Sequence, residues 1–155
     1  MLSIPWPSPD SNLELLQVTF TNDSFLIVVK SSHTSAFCPV CLKPSSRKHS
    51  QYSRKVQDLP ICNKAVELII LTRRWFCDQP DCTVKVFTER YDWISPKGRR
   101  TKRTDELLRK IAFSTSCLSA EKVAKSAHIP VSHDTLLNLV RHTHIEPKVS
   151  PFCRH

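Results

Sequence analysis

Glycine is nearly absent from this chain, because Gly98 is the only one among 155 residues. Turns must therefore be built from proline, asparagine, aspartate and serine, and eleven prolines are available. Long apolar runs are also absent, and no stretch approaches the roughly 18 apolar residues that a membrane helix needs. The first residues lack the basic start and apolar run of a signal peptide. We therefore expect a cytoplasmic protein with no membrane contact.

Acidic residues are scarce relative to basic ones, with 14 Asp and Glu against 23 Lys and Arg and a net charge of +9. Such an excess favours a polyanionic partner such as nucleic acid, through the release of counterions. The alternative is a soluble protein whose basic charge is incidental. The composition, 40% hydrophobic, is that of a globular chain long enough for one ordinary domain or two small ones.

The seven cysteines are an odd number, so they cannot all form disulfides within the chain. Four of them form two close pairs, Cys38 with Cys41 and Cys77 with Cys82, a spacing typical of one zinc ion held between two loops. Four buried thiols or two local disulfides are the alternatives. Four thiolates leave zinc no open coordination position, so we expect a structural Zn2+ whose removal melts residues 13–92.

The other three cysteines, Cys62, Cys117 and Cys153, are interpreted as residues without a metal role. Cys117 is expected to pack near the end of the first helix. Cys62 falls in a predicted turn and is a rival ligand, and His33 and His49 are further substitutes.

The hydrophobic pattern changes its period along the chain. β-rich runs at 13–20 and 25–30 flank a turn at 21–24, and shorter strands are predicted at 66–71 and 84–88. This places Cys77 and Cys82 at the tip of a hairpin. Residues 43–55 are predicted to form a loop, with turns at 58–60 and 62–63. Beyond residue 103 the period is helical, and Thr104, Ser119 and Ser132 are predicted to cap three helices. The predicted apolar stripes of these helices are Leu107, Leu108, Ile111, Ala112 and Thr115, then Ala120, Val123, Ala124 and Ala127, then Leu136, Leu139 and Val140.

The predicted fold class is therefore α+β, with a small β-rich zinc ribbon followed by a three-helix domain of the helix-turn-helix type. We predict a poorly ordered N-terminus over residues 1–12 and a β-hairpin and zinc-ribbon domain over 13–94. A basic linker over 95–103, a helix-turn-helix domain over 104–144 and a tail over 145–155 complete the chain.

Two short helices joined by a turn are typical of a helix-turn-helix, whose second helix enters the major groove of DNA. Asparagine can pair with adenine and arginine with guanine. The chain differs from the usual pattern at His128, where glycine is common. A generic three-helix bundle is the alternative. The predicted DNA contacts of the last helix are His133, Thr135, Asn138 and Arg141.

The basic linker is predicted to lie along DNA phosphates or in a minor groove, through Arg99, Arg100, Lys102 and Arg103. A solvated linker is the alternative. Arg73, Arg74 and Phe76 interleave cations with an aromatic ring, which suits contact with a nucleic-acid backbone. Trp75, between them, is expected to be buried.

The order of these motifs resembles the start of the ISL-three type of bacterial insertion-sequence transposases, over roughly residues 13–143. That resemblance implies a zinc-binding domain, an Arg- and Thr-rich joint and a helix-turn-helix that recognises the terminal inverted repeats of a mobile element. It also implies a nucleoid-associated location. The motifs that carry it are Cys38-Pro39-Val40-Cys41, Arg47-Lys48-His49-Ser50 with Tyr52 and Arg54, Asp58-Leu59-Pro60, Arg73-Arg74-Trp75-Phe76-Cys77, Cys82, Phe87-Thr88-Glu89-Arg90 and Arg99-Arg100-Thr101.

The sequence departs from the family after its last helix, where only Glu146 is acidic. In the family, a long catalytic domain with metal-binding acidic residues follows. We therefore expect a shortened transposase that binds double-stranded DNA at element ends but is not an enzyme by itself. We expect it to form a homodimer or to associate with a full-length transposase. A zinc-containing transcription regulator and a protein-interaction zinc module are the alternatives.

Overall fold

A computed structural model describes residues 6–145 of the chain. Cys153, Glu146 and most of the predicted tail therefore lie outside the described residues. The strands are β1 (Leu13–Phe20), β2 (Ser24–Ser31), β3 (Ala36–Phe37), β4 (Pro44–Ser45), β5 (Lys48–Ile61), β6 (Lys64–Phe76) and β7 (Val86–Thr88). The helices are α1 (Lys102–Ser114), α2 (Cys117–Ser126) and α3 (His133–Arg141). The predicted α+β class is confirmed.

The first two strands form the predicted hairpin. Strands β1 and β2 pair antiparallel, with Phe20 opposite Phe25 next to the turn. The Thr21 hydroxyl accepts the backbone N–H of Ser24 at 3.1 Å, and the Thr21 N–H donates to the Ser24 carbonyl at 2.9 Å. This side chain closes the turn without a glycine.

The centre of the main sheet is a long hairpin of β5 and β6, and the predicted loop over 43–55 is wrong for most of its length. Residues 48–55 belong to β5 and pair along β6 in antiparallel register. Their side chains are mostly exposed, so they lack the apolar alternation of a half-buried strand. The apolar partner β6 supplies the pairing that their own sequence does not indicate.

A two-residue turn at Cys62 and Asn63 joins these strands, as predicted. Both residues have positive φ, at 49° and 58°, which is the conformation that a type I′ hairpin requires. Asparagine adopts a positive φ readily, whereas a cysteine rarely does. The turn predicted at 58–60 is instead part of β5, where the register shifts between Asp58 and Ile61.

The sheet runs in the order β1-β2-β6-β5, with β2 parallel to β6 and β7 paired to the end of β6. Alternate residues of the central strands face one core, because side chains along a strand alternate between the two faces. Trp93 and Ile94 cover this core from the segment after β7. Its fully buried members on the strands include Ile27, Val29, Val66, Leu68 and Ile70.

Each of the three helices is capped by the first of two hydroxyl residues spaced three apart. Thr101 caps α1, Ser116 caps α2 and Ser132 caps α3, each accepting the N–H three residues on. The predicted caps Thr104 and Ser119 are therefore wrong by one turn, and Ser132 is confirmed. Because both members of each pair suit a cap, the sequence alone does not separate them.

The core of the helices is smaller than the sequence pattern predicts. Leu108, Ala112, Ala120, Ala124 and Leu136 are buried there together with Ile129 and Val131 from the turn between α2 and α3. Other members of the predicted stripes are exposed, namely Leu107, Thr115, Val123 and Ala127. None of the helices among residues 6–145 has the length and apolar character needed to cross a bilayer.

The predicted basic linker is a bonded joint between the sheet and the helices. The backbone N–H of Gln57 donates to the carbonyl of Arg99, and the N–H of Thr101 donates to the carbonyl of Gln57, both at 2.9 Å. The N–H of Lys102 donates to the Trp93 carbonyl at 2.9 Å. These bonds attach the start of α1 to the edge of β5, so residues 99–102 do not move freely.

Asp58 completes this joint from inside. Its buried carboxylate accepts the Thr101 hydroxyl at 2.8 Å, the Trp6 indole N–H at 3.0 Å and the Nε of Arg103 at 2.8 Å. Burial acts to raise the pKa of Asp58, but Arg103, Trp6, the Leu59 backbone N–H and Thr101 outweigh it and lower the pKa. The carboxylate is thus ionised and paired at neutral pH.

Candidate zinc centre and basic surface

The first pair of cysteines lies in a tight loop between β3 and β4. The backbone N–H of Leu42 donates to the Cys38 carbonyl at 2.9 Å, and Leu42 itself has a positive φ of 60°. The N–H of Cys38 donates to the Lys43 carbonyl at 2.9 Å. These bonds turn the chain so that the Sγ atoms of Cys38 and Cys41 face the same point.

The second pair lies in the connection between β6 and β7, as the sequence predicts. The N–H of Cys77 donates to the Lys85 carbonyl at 2.9 Å, and the N–H of Cys82 donates to the Gln79 carbonyl at 3.2 Å. The buried side chains of Trp75 and Phe87 pack beside the four cysteines and form a small separate core.

The four Sγ atoms converge. The Cys38 and Cys82 sulfurs are 3.8 Å apart, those of Cys41 and Cys77 are 3.6 Å apart, and all four lie within 4.8 Å of one another. A tetrahedral ion with Zn–S bonds of about 2.3 Å requires sulfurs about 3.8 Å apart. The donor set therefore fits zinc in both chemistry and size, and these distances exclude disulfide bonds of about 2.05 Å.

The pKa values of Cys38 and Cys77 are shifted in opposite directions. The backbone N–H of Cys41 lowers the pKa of Cys38 to about 7, against the opposing effect of burial. For Cys77 the backbone N–H of Gln79 also acts to lower the pKa, but burial and the neighbouring thiols outweigh it and raise the pKa to about 12. Thiolates are the zinc ligands, so binding of the ion must displace the remaining protons.

Residues 34–82 match a family model described as the zinc-finger of transposase IS204/IS1001/IS1096/IS1165. The matched segment is about a third of the chain and contains all four cysteines. It is similar to the start of an ISL-three type transposase, as the sequence motifs indicate. No curated protein and no solved structure matches the chain.

The match and the cysteine cluster together support a structural Zn2+ ion held by Cys38, Cys41, Cys77 and Cys82. Four protein ligands close the coordination sphere, so the ion supplies folding energy to this transposase-like zinc finger rather than chemistry. Its loops have little other core, because only a few buried side chains surround the sulfurs.

The other candidate ligands do not join this cluster. Cys62 is exposed in the turn between β5 and β6, and neither His33 nor His49 is among the grouped ligand atoms. Cys117 packs against the helical core as expected, and it is the first residue of α2, just after the end of α1 at Ser114. Among residues 6–145 the cluster is the only group of three or more such side chains with converging atoms.

The predicted DNA-contacting residues of α3 lie on its outer side, while Leu136 is buried beneath them. Asn138 and Arg141 are exposed, and Thr135 is half-buried. Arg100 and Arg109 line a shallow groove together with Thr135, Asn138 and His142, so part of the basic joint lies beside α3.

His133 is bonded rather than free. Its backbone N–H and its Nδ1 both contact Glu121 Oε2, at 3.1 Å and 3.0 Å. Glu121 also accepts Lys125 at 2.6 Å, and Lys125 and His133 together lower the pKa of Glu121. This carboxylate ties the middle of α2 to the first residue of α3.

The basic residues of the joint divide into bonded and open ones. Arg100 donates to Asp105 at 2.6 Å, and Arg103 is paired with Asp58 and only 27% exposed. Arg99 and Lys102 are exposed and form no ion pair within the described part of the chain. The structure thus keeps two of these four predicted contacts accessible and uses the other two mainly to hold the joint.

The run of cations and aromatic rings on β6, residues 73–76, also has buried and exposed members. Trp75 is fully buried, as expected. Arg73 is buried as well. Its Nη2 donates to Glu89 at 3.0 Å and its Nη1 donates to the His33 carbonyl at 2.7 Å, so its N–H groups are occupied within the protein. Its interpretation as a nucleic-acid contact is therefore corrected, and Arg74 is the exposed cation of this run.

Positive charge is concentrated away from the body of the sheet. Residues 6–32 and 55–71 contain three Lys and Arg against five acidic residues. The zinc end, residues 33–54 and 72–90, contains eight against three, and residues 91–145 contain ten against five. A polyanion would therefore be attracted to the zinc end and to the helices.

Proposed function

We propose that this chain is the DNA-binding region of a transposase and recognises the terminal inverted repeats of an insertion sequence. The observation that carries this proposal is the similarity of residues 34–82 to a transposase zinc finger. The excess of positive charge on the helices supports it, because a DNA duplex is a polyanion whose major groove admits an α-helix.

Helices α2 and α3 act in this proposal as a helix-turn-helix, with α3 as the recognition helix. Support comes from the buried contacts of Leu136, Ile129 and Ala124, which fix the two helices to each other, and from the exposed polar side of α3. Helix α2 is followed by a turn at His128, which has a φ of 61° and occupies the position where glycine is usual.

The proposed base contacts are Asn138 and Arg141, because both are exposed and both can form paired hydrogen bonds to a base edge. Thr135 lies beside them in the same groove as Arg100. His133 has a positioning role, since its bonds to Glu121 orient the N-terminus of α3. Arg99 and Lys102 are the proposed phosphate contacts of the joint.

We further propose that residues 6–145 bind DNA without cutting it. Two-metal strand transfer requires several converging carboxylates. In the described part of the chain the buried carboxylates Asp58 and Glu89 are each paired with an arginine, and no carboxylate group converges in the way the cysteines do. In this proposal one copy of the chain, or a dimer, binds each element end.

Binding to a labelled duplex of an element's end, compared with a shuffled duplex of equal length, tests this function. Arg141→Ala should weaken binding to the end sequence by about 2 kcal/mol and relax base preference at one position. Arg99→Ala should instead weaken binding to both duplexes and reduce the salt slope by about one.

Lys55→Ala is the matched control, because Lys55 is an exposed cation of the sheet body paired with Glu67. It should leave both affinities unchanged. Equal affinity of the wild-type chain for end and shuffled duplexes would contradict recognition of the repeats. Tighter binding to a promoter duplex than to the end duplex would favour a transcription regulator with the same two modules.

A further inference from the structure

The zinc end of the sheet carries a group of cations and aromatic rings that the helix-turn-helix proposal does not use. Side chains at alternate positions of a strand share a face, so Arg74 and Phe76 of β6 project on the side opposite Trp75. Tyr52 lies on the neighbouring strand β5, and Arg47 and His49 lie at its start. We call these five residues the ribbon face.

Tyr52 and Phe76 of the ribbon face each have a cation above their ring. The Arg74 guanidinium lies 5.4 Å from the Tyr52 ring centroid, and that of Arg47 lies 4.5 Å from the Phe76 ring. The His49 ring meets Phe76 edge-on with centroids 4.8 Å apart. A guanidinium stacked on a ring keeps its N–H groups free at the edge of the stack, in a fixed direction.

One of the two arginines of the ribbon face has no acidic partner among the described residues. Within residues 6–145, Arg74 has no acidic partner, whereas Arg47 is paired with Asp78 at 2.7 Å. Tyr52 is 39% exposed and lines a groove whose other walls include the exposed residues Arg90 and Lys97. The groove therefore continues the ribbon face toward the basic joint before α1.

We infer that the ribbon face and this groove form a second DNA-binding surface, which contacts the phosphate backbone of the duplex bound by α3. Phosphate is the partner that fits, because the open groups are charged N–H donors and guanidinium groups bind phosphate oxygens through paired hydrogen bonds. The inference rests on the proposed function, since it assigns the zinc finger a part of the same complex. Its contacts position the protein and carry no base preference.

The test measures the salt dependence of duplex binding by the full zinc-loaded chain. The double variant Arg74→Ala with Arg90→Ala should weaken binding to every duplex and reduce the salt slope by about two, because two phosphate contacts are lost. Lys64→Ala is the matched control: Lys64 is also on β6 and also lies over a ring, 5.6 Å from the Phe25 centroid, but at the neutral end of the sheet.

A second pair of variants separates a binding surface from a folding role. Tyr52→Ala should weaken duplex binding, because Arg74 loses the ring that orients it, and Tyr52→Phe should bind as the wild type does. Zinc content and circular dichroism should be unchanged in all these proteins. A wild-type salt slope in the double variant, with Arg141→Ala still impaired, would overturn this inference alone. Failure of the wild type to bind any duplex would overturn the proposed function as well.

Discussion

At the scale of single residues, Asp58 determines how the sheet and helices are connected. It is a buried carboxylate that binds Trp6 from the N-terminal segment, Thr101 at the start of α1 and Arg103 within α1. Removing one partner of such a pair leaves the other buried charge uncompensated, which is a large penalty in proteins. The acidic residue of the Asp58-Leu59-Pro60 motif is thus explained as a structural one.

Replacing Asp58 by asparagine should lower the free energy of unfolding by about 3 kcal/mol at pH 7. The pKa of Asp58 is lower in the folded protein than its ordinary value of 3.8. The ionised carboxylate therefore stabilises the fold at pH values above 3.8, and this contribution is lost as pH falls through the folded-state pKa. Chemical denaturation at several pH values measures the difference between wild type and Asp58→Asn. That difference should shrink below pH 4.

The control for this experiment is Glu14→Gln, which removes an exposed ion pair with Lys30 and should change stability by less than about 1 kcal/mol. Loss of zinc in acid affects all three proteins and cancels in the difference. A difference that is independent of pH would show that the Asp58 charge does not hold the joint.

His128 is the second residue with a defined structural consequence. It follows the C-cap Ala127 with a φ of 61°, its N–H donates to the Lys125 carbonyl, and the N–H of Ile129 donates to the Ala124 carbonyl. This is a Schellman motif, in which the left-handed position favours glycine. Ile129 is fully buried as the apolar residue that follows it.

His128→Gly should therefore stabilise the chain by about 1 kcal/mol, because a Cβ is strained in the left-handed region. Thermal or urea denaturation measures the change. His128→Ala is the comparison, since alanine keeps the Cβ and should show no such gain. An equal response to the two substitutions would mean that the turn is not strained.

At the scale of elements, the molecule has three separate cores: one in the sheet body, one around the cysteines and one among the helices. Because these cores are separate, we narrow the melting expected on zinc removal from residues 13–92 to the loops around the cysteines. Chelation should open residues 36–45 and 76–88 to rapid amide exchange, while Ile27, Leu68 and Ile70 in the sheet body remain protected. Hydrogen exchange with and without a chelator measures this.

Cysteine substitution provides the matched test of the same element. Cys82→Ser should abolish stoichiometric zinc and open the same segments, because a three-thiolate site no longer closes around the ion. Cys62→Ser should retain zinc, since Cys62 is exposed and outside the cluster. Zinc retained by Cys82→Ser at wild-type affinity would contradict the ligand assignment.

The zinc site, the first hairpin and the three helices could be predicted from the sequence because each is set by nearby residues. Cysteine spacing and the Thr21 turn are local signals of this kind. The long strand β5 could not be predicted, because its exposed residues show no apolar alternation and are ordered by β6. The parallel pairing of β2 with β6 and the joint at Asp58 depend on residues distant in sequence, so no short motif indicates them.

At the scale of the whole molecule, positive charge is concentrated at the zinc end and on the helices, whereas the sheet body has three Lys and Arg against five acidic residues. The bonds of Gln57 to Arg99 and Thr101 hold the helices against β5. A duplex contacted by α3 is therefore expected to pass the groove that Tyr52, Arg90 and Lys97 line.

We propose that α3 reads a base sequence, and the other proposed DNA contacts depend on this step. It can be tested by selecting bound sequences from a random duplex pool with the full chain loaded with zinc. We expect one sequence class to be enriched, Asn138→Ala and Arg141→Ala each to relax it at a single position, and Lys55→Ala to leave it unchanged. A pool that stays random, or an enriched sequence that neither α3 variant alters, would show that α3 does not read a sequence.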